Sequence, residues 1–596
     1  MKPGISRHRC LNRALFIGLL LAAGASARAG EAPADRWPEV KAWAWQHQTG
    51  WLVGCNFLPS TAINQLEMFQ SDTFDLPTID RELGWAESLG FNSVRVFLHN
   101  LLWDQDPQGF LERLDQFLTV AAKHRLGVVF VLFDSCWDPF PALGRQRAPK
   151  PHVHNSGWVQ SPGAGVLLDP AKQPALAGYV RGVVGHLKGD RRVRAWDVWN
   201  EPDNLNQPAY IEHEPTNKVQ LVLPLLRQAF GWAREANPTQ PLTSGLWVGD
   251  WPDPDRLSPT EQLQLSQSDV ISFHNYGGLG DLKQAVEHLR RYHRPVLCTE
   301  YMSRGNGSFF DPNLGYLKWC GVGAYNWGLV AGKSQTIYPW DSWTKQYDRE
   351  PALWFHDIFR PEGQPYRPTE ATYIRGVTGN EVLFNGADLT GWRQPQGTWQ
   401  VAGAVGLEPA NPEAFRLTDG LGLMVNGTAG RTVDLLTTAE FGDVELHVEF
   451  CIPRHSNSGV YLQGRYEVQV YDSYGVAKDA YPGIECGGIY PRWINGQNLD
   501  GHSPRVNASK PPGEWQSFEI TFRAPRFDPQ GRKVANARLA RVVHNGELVQ
   551  ANVELAGPTR AAHWADEAPT GPLLLQGDHG PVAYRHLWVK TLPAAE

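Results

Sequence analysis

A chain of 596 residues is too long for one core, so two to four domains are expected. Its 42% hydrophobic and 20% charged residues are those of folded globular protein and exclude a disordered polymer. The net charge of −7 argues against nucleic acid or an anionic membrane surface as partner.

Residues 1–29 read as an export signal. Lys2, Arg7, Arg9 and Arg13 form a basic start, and Ala14 to Ala25 is an apolar run too short to span a bilayer. Ala27-Arg28-Ala29 follows as a small-x-small cleavage site. No lipid-accepting cysteine follows the apolar run, so a cleaved signal is expected rather than an anchor, with a periplasmic or extracellular mature protein. Cleavage takes five basic and no acidic residues from 55 and 62, leaving a charge of −12. The six remaining cysteines are widely spaced with no C-x-x-C, which indicates neither a zinc site nor a dense disulfide framework.

Within residues 30–358, eight short apolar runs alternate with helical-period segments. The predicted strands are Trp51–Asn56, Ser93–Leu98, Gly127–Phe133, Val193–Trp199, Pro241–Gly245, Val270–His274, Pro295–Thr299 and Gly321–Trp327. Three apolar stripes, beginning at Ile79, Phe110 and Leu282, predict helices between them. Further helices fit Pro174–Leu187, Val219–Ala236, Pro259–Ser266, Asn313–Trp319 and Ala352–Ile358. Eight such pairs without a glycine-rich phosphate fingerprint predict a (β/α)8 TIM barrel rather than a doubly wound sheet. Residues 359–380, rich in proline and without periodicity, read as a linker. From 381 to 596 the period becomes two: Val444, Leu446, Val448 and Phe450 alternate with Glu445, His447 and Glu449. With Asn545-Gly546 as a hairpin turn, this stretch predicts an all-β jelly roll or sandwich.

The chemistry centres on Trp199-Asn200-Glu201-Pro202, where proline stops the fourth strand and delivers Glu201 at its carboxyl end. Glu300 ends the seventh. Residues leaving the carboxyl ends of barrel strands share one mouth, so the two carboxyls can face each other there. Such a pair, one protonating a leaving oxygen and the other attacking the anomeric carbon, is what retaining glycoside hydrolysis requires. Neither an organic cofactor nor a metal is needed. His152 and His154, two apart in the long loop Ser135–Gly165, have no obvious third ligand and read as loop hydrogen bonders.

These motifs resemble the clan A retaining glycoside hydrolases of the family 5 cellulase and mannanase kind, over about residues 45 to 358. The resemblance implies Glu201 as acid/base, Glu300 as nucleophile, Asn200 as a ligand of the sugar 2-hydroxyl and Arg95 as the cation beside the nucleophile. It also implies His274 and Tyr276 as the His-x-Tyr after strand six, with Tyr276 donating to Glu300, and Trp327 as the floor of the sugar site. Trp137 and Trp158 in the long loop are further substrate-binding candidates, and Trp103, Trp247, Trp251, Trp340 and Trp343 lie near predicted strand ends.

Asn457-Ser458-Gly459-Val460-Tyr461-Leu462, Tyr466-Glu467-Val468-Gln469-Val470 and Asp578-His579-Gly580 resemble a second family, the 3-keto-disaccharide hydrolase domain, over about 381 to 593. That implies a concanavalin-like jelly roll. Strand alternation puts Arg465, Glu467, Gln469 and Tyr471 on one face, and a solvated outer face fits as well as a site. The resemblance favours a site at Glu467, Gln469, Asp472 and His579, while Ile494–His502 departs from the family pattern. The expectation is an exported retaining β-glycosidase with an appended carbohydrate-active or carbohydrate-binding domain. The alternatives are chemistry on 3-keto-glycosides in the β domain, or a non-catalytic carbohydrate-binding protein.

Overall fold

The computed structural model describes residues 36–249, 251–477, 480 and 483–593; the expected signal segment, 1–29, lies outside them. Eight parallel strands form the first sheet: β1 (Val53–Asn56), β2 (Ser93–Phe97), β3 (Gly127–Val131), β4 (Val193–Asp197), β5 (Leu242–Thr243), β6 (Ile271–Asn275), β7 (Val296–Tyr301) and β8 (Gly323–Trp327). They run in the order β5-β4-β3-β2-β1-β8-β7-β6. A parallel bridge between Leu246 and Phe273 joins the two edges, so the sheet closes into a barrel.

Strand alternation divides the barrel's packing. Val128 and Phe130 point outward into the layer shared with the helices, and Val129 and Val131 point inward. The helix Glu39–Thr49 plugs the floor, where its Ala42 meets Leu52, Val129, Ala195, Leu297 and Tyr325. Seven of the eight predicted helices are present, and their starts are capped by Asp75, Asp106 and a Ser258–Glu261 capping box, among others.

The eighth differs. Ala352–Ile358 is irregular, and the helix after β8 is Pro368–Gly379, inside the expected linker. The reason is Arg304. It donates to the carbonyls of Trp354, His356 and Asp357 and pairs with Glu370 of the helix, and Asp357 is left-handed with a φ of 60°. Carbonyls held this way cannot accept within a helical turn.

Residues 381–593 form a sandwich of two main antiparallel sheets, with two small two-stranded ones beside them. The larger runs Gln400–Glu408, Asn411–Val425, Ala583–Thr591, Val444–Cys451, Gln516–Arg523, Ala537–His544 and Glu547–Leu555, with Glu381–Val382 also on Ala583–Thr591. The smaller runs Leu435–Leu436, Leu574–Leu575, Asn457–Leu462 and Tyr466–Tyr471. Leu446, Val448, Phe450, Val460, Val468, Val470 and Ile520 fill the core between them. Asn545 and Gly546 are both left-handed and join Ala537–His544 to Glu547–Leu555, as a type I′ hairpin requires. The sandwich shares a core with the barrel: Trp588 packs among the barrel's apolar residues, and its indole fills the space beside Gly376.

Candidate functional site: a carboxylate pair at the barrel mouth

Arg95, from β2, is fully buried at the centre of the mouth. Its Nε and Nη2 donate to Asp197 Oδ2 (3.1 and 2.7 Å), Nη2 also to Asn200 Oδ1 (2.6 Å), and Nη1 to Asn56 Oδ1 (2.8 Å) and Glu300 Oε1 (2.9 Å). Five contacts match the five N–H groups of a guanidinium. A charge buried this deeply must be paired, and here Asp197 and Glu300 pair it.

Glu201 and Glu300 approach each other from β4 and β7. One oxygen of each, with a ring nitrogen of His274, all lie within 4.8 Å of one another. Their surroundings differ. Glu300 is held by the Arg95 cation and by the Tyr276 hydroxyl, which donates to Oε2 at 2.7 Å. Glu201 meets only neutral groups at contact distance: Asn204 Nδ2 (2.5 Å) and the Cys136 thiol (3.2 Å) on Oε2, and His274 Nδ1 (2.7 Å) on Oε1. Burial keeps that imidazole neutral, pushing it down to about 4. Burial raises both carboxyls; His274, Arg95 and the Tyr276 hydroxyl oppose the rise at Glu300, and Asn204, Cys136, Arg95 and Lys218 oppose it at Glu201. Both side chains keep a little exposure, 9% and 6%, enough for contact with a ligand. Glu201 has a φ of 43°, a left-handed geometry costing an ordinary residue about 1–2 kcal/mol. It turns the side chain back over the mouth after Asn200, whose N–H donates to Phe133 O.

Asn200, 2% exposed, has its oxygen on Arg95 and its Nδ2 on Asp134 Oδ1 (2.9 Å), with a long 3.5 Å contact to Cys136 Sγ as the remaining amide contact. Trp327 ends β8, half-buried, with Phe97 and Trp158 edge-on to it at 5.7 and 5.8 Å. Trp158 is only 3% exposed and donates to Asp134 Oδ2 at 2.6 Å, so it braces Trp327 and is not itself a sugar platform. Trp137 is half-buried and stacks on Trp343 (5.6 Å, 12°). Trp340, 36% exposed, stands edge-on to Tyr276 at 5.1 Å and offers an open ring at the rim. Trp247 donates to Asp203 Oδ1 at 2.7 Å, Trp251 is buried, and Trp103 packs over Gly182.

Four residues of the site were not picked out from the sequence: Asp134, Asp197, Cys136 and Asn204. Asp134 positions Asn200 and Trp158, and burial raises its carboxyl to about 6. Asp197 carried a signal, being the carboxylate of a short, mainly buried strand, Val193–Asp197. The Glu201–His274–Glu300 group has the ligand types of a cation site, but the positive charge it needs is already supplied by Arg95. His152 and His154 both bond to Tyr338, through its hydroxyl (2.6 Å) and its carbonyl (2.8 Å).

In the sandwich, Tyr466, Val468 and Val470 face the core, and Glu467 and Gln469 face away from it, as the alternation predicts. That outer face is not solvated. Glu467 is 2% and Gln469 0% exposed, because residues 487–490 pair along the strand and Tyr461 and Thr559 cover it. Burial pushes the Glu467 carboxyl up to about 8, and its Oε2 has no partner among the described residues. Oriented to suit its neighbours, the Gln469 amide donates to Glu467 Oε1 (2.8 Å). His579 lies apart from these, on a cavity of about 370 Å³ lined also by Arg431, Arg454 and His455; Asp472 adjoins it by accepting from the His455 N–H (2.9 Å) and by donating its own N–H to Ser456 O (3.1 Å). The departing stretch forms a small exposed hairpin, Arg492–Ile494 and Gln497–Leu499.

Residues 379–590 match the family described as the 3-keto-alpha-glucoside-1,2-lyase-like domain. No curated protein matches the chain in sequence. Among solved structures, a Parabacteroides distasonis protein provisionally named a glycosyl hydrolase is 28% identical, with 35% of this chain and 82% of that chain covered and a TM-score of 0.26. The β-1,4-mannanase of the sea hare Aplysia kurodai is 19% identical, covering 46% and 87%, with a TM-score of 0.34. An exo-β-1,4-mannosidase of Opitutaceae bacterium strain TAV5 is 21% identical, covering 56% and 60%, with a TM-score of 0.37.

Proposed function

We propose that the barrel hydrolyses a β-glycosidic bond of an oligo- or polysaccharide with retention. Glu300 attacks the anomeric carbon, Glu201 protonates the leaving oxygen, and Glu201 then takes a proton from the water that resolves the glycosyl–Glu300 ester. The observation that carries this is the pair itself. One oxygen of each carboxyl lying within 4.8 Å supports the ~5–5.5 Å carboxyl spacing of double displacement over the ~6.5–9.5 Å of inversion. The unequal contacts support this division of roles, since of the pair Glu300 alone bonds Arg95 and Tyr276. Wild type, Glu201→Ala and Glu300→Ala on aryl β-glycosides and β-linked polysaccharides test it. Loss of roughly 10²–10⁴-fold at Glu201 is expected for poor leaving groups, less for activated aryl groups. Full activity in both variants would remove the mechanism. Export, on the signal read in residues 1–29, is part of the same proposal and is tested by the mature amino terminus.

A second reading gives the sandwich chemistry of its own, on a 3-keto-glucoside. It is favoured by the buried Glu467, whose carboxyl is raised to about 8, within a domain matched to a 3-keto-alpha-glucoside-1,2-lyase-like family. Turnover of 3-keto-glucosides that survives Glu201→Ala and Glu300→Ala but is lost in Glu467→Gln would establish it. Equal turnover in Glu467→Gln would remove it.

A further inference from the structure

The loops after β3 and β8 meet although β2 and β1 lie between those strands. Asn155 N–H donates to Ser334 O (2.8 Å), His152 N–H to Gln335 Oε1 (2.8 Å), His154 N–H to Ser342 Oγ (2.9 Å) and Gln335 Nε2 back to Lys150 O (2.7 Å). The Trp137–Trp343 stack lies over the same junction. The loops after β1 and β2 are tied in from below: Asn64 Nδ2 donates to Gly157 O, Gln65 Nε2 to Val159 O, and His99 Nε2 bonds Gln160 O. Four loops thus form one body above β1 and β2, and its middle is solid: His154, Asn155, Ser156, Trp158 and Gln160 are at most 3% exposed. Between this body and Trp327 remains a cavity of about 20 Å³, lined by Asn155 and Asp357. That is room for a water molecule, not a sugar ring. Both amide atoms of Asn155 lack a hydrogen-bond partner among the described residues.

The side that is blocked can be named. The leaving oxygen must lie within reach of Glu201, which stands among Asn204, Asp203 and Trp247 on the loops after β4 and β5. The joined loops adjoin Trp327 over β3, β2, β1 and β8, whereas Glu201 and its neighbours stand on the loops after β4 and β5; for a ring resting on Trp327, the joined loops would then meet the next residue towards the non-reducing end.

We propose that the mouth is a blind pocket that accepts only the non-reducing terminal residue of a β-linked oligosaccharide and releases one monosaccharide per turnover. This rests on Glu201 and Glu300 being the catalytic pair. The glycosidic C1–O bond breaks, and water supplies oxygen to C1 and hydrogen to the departing chain. The test uses wild-type protein on β-1,4-linked gluco-, manno- and xylopentaose with a reduced far end, following first products by chromatography. Each is compared with the same pentaose carrying a further sugar branch on its terminal ring, and aryl β-glycosides run alongside. Monosaccharide and tetrasaccharide are expected as first products, with at least a 100-fold slower reaction on the branched chain. Di- or trisaccharide among the first products would overturn the blind pocket and leave the carboxylate pair standing. Inertness towards every pentaose and aryl glycoside would overturn both.

Discussion

Arg95 and Tyr276 bond Glu300 and favour its ionised form, so changing its neighbours moves the pH profile in a fixed direction. Tyr276→Phe removes one hydrogen bond to a charged group, worth about 1.5–3 kcal/mol, or roughly 10–100-fold in kcat/KM. That bond favours the ionised form of Glu300, and catalysis needs Glu300 ionised, so the acid limb moves to higher pH. Asn204→Ala acts on the other limb. The Asn204 amide favours ionised Glu201, so its loss raises the acid's pKa and extends activity to higher pH. Steady-state profiles of the two variants should separate the limbs. A uniform drop without movement would mean that these residues only shape the site. Glu201, Glu300, Asn200, His274 and Tyr276 were legible because each ends or follows a predicted strand, and Arg95 because it is a cation inside one. Cys136 and Asn204 were not, since a short polar side chain in a loop has no period to betray it, and only the fold brings both to Glu201 Oε2.

Strands were the most legible elements, because their patterns of apolar runs and alternation do not depend on neighbours. The segment after β8 was the least. Ala352–Ile358 has helical composition, but Arg304, remote in sequence, holds its carbonyls in an open form. The strand Tyr466–Tyr471 shows a subtler limit: alternation gives the face of Glu467 but not the segment that covers it. Its burial has a measurable consequence. A carboxyl raised from 4.5 to about 8 binds its proton more tightly in the folded state, so stability falls as pH rises from about 4.5 to about 8 and is level above. Glu467→Gln should flatten that slope and raise the denaturation midpoint at pH 8 relative to wild type. An unchanged slope would mean that Glu467 is not buried as a neutral acid.

At the scale of the whole molecule, the two domains were legible as a barrel and a sandwich, but their union was not. The stretch expected to separate them carries a helix that joins them. Tyr373 from that helix contacts His586 and Trp588, and His586 lies between Asp311 of the barrel (2.7 Å) and Glu449 of the sandwich (3.0 Å). Burial alone would lower the imidazole; the two carboxylates outweigh it and hold it up to about 9. A raised histidine contributes stability that is complete below its unfolded value near 6.5 and lost as pH rises through about 9. Thermal unfolding of wild type should therefore weaken between pH 6.5 and 9.5. His586→Gln should already be destabilised at pH 6.5 and show a smaller decline. Equal declines in the two proteins would exclude His586 as the titrating contact.

The central claim is that Glu300 becomes covalently glycosylated. A 2-deoxy-2-fluoro-β-glycosyl fluoride of whichever sugar is turned over, followed by intact-protein and peptide mass spectrometry, tests it most directly. One fluoroglycosyl group on Glu300 in wild type, absent in Glu300→Ala, is the predicted result. A label on another carboxylate, or a substrate hydrolysed with inversion and no label at all, would contradict it.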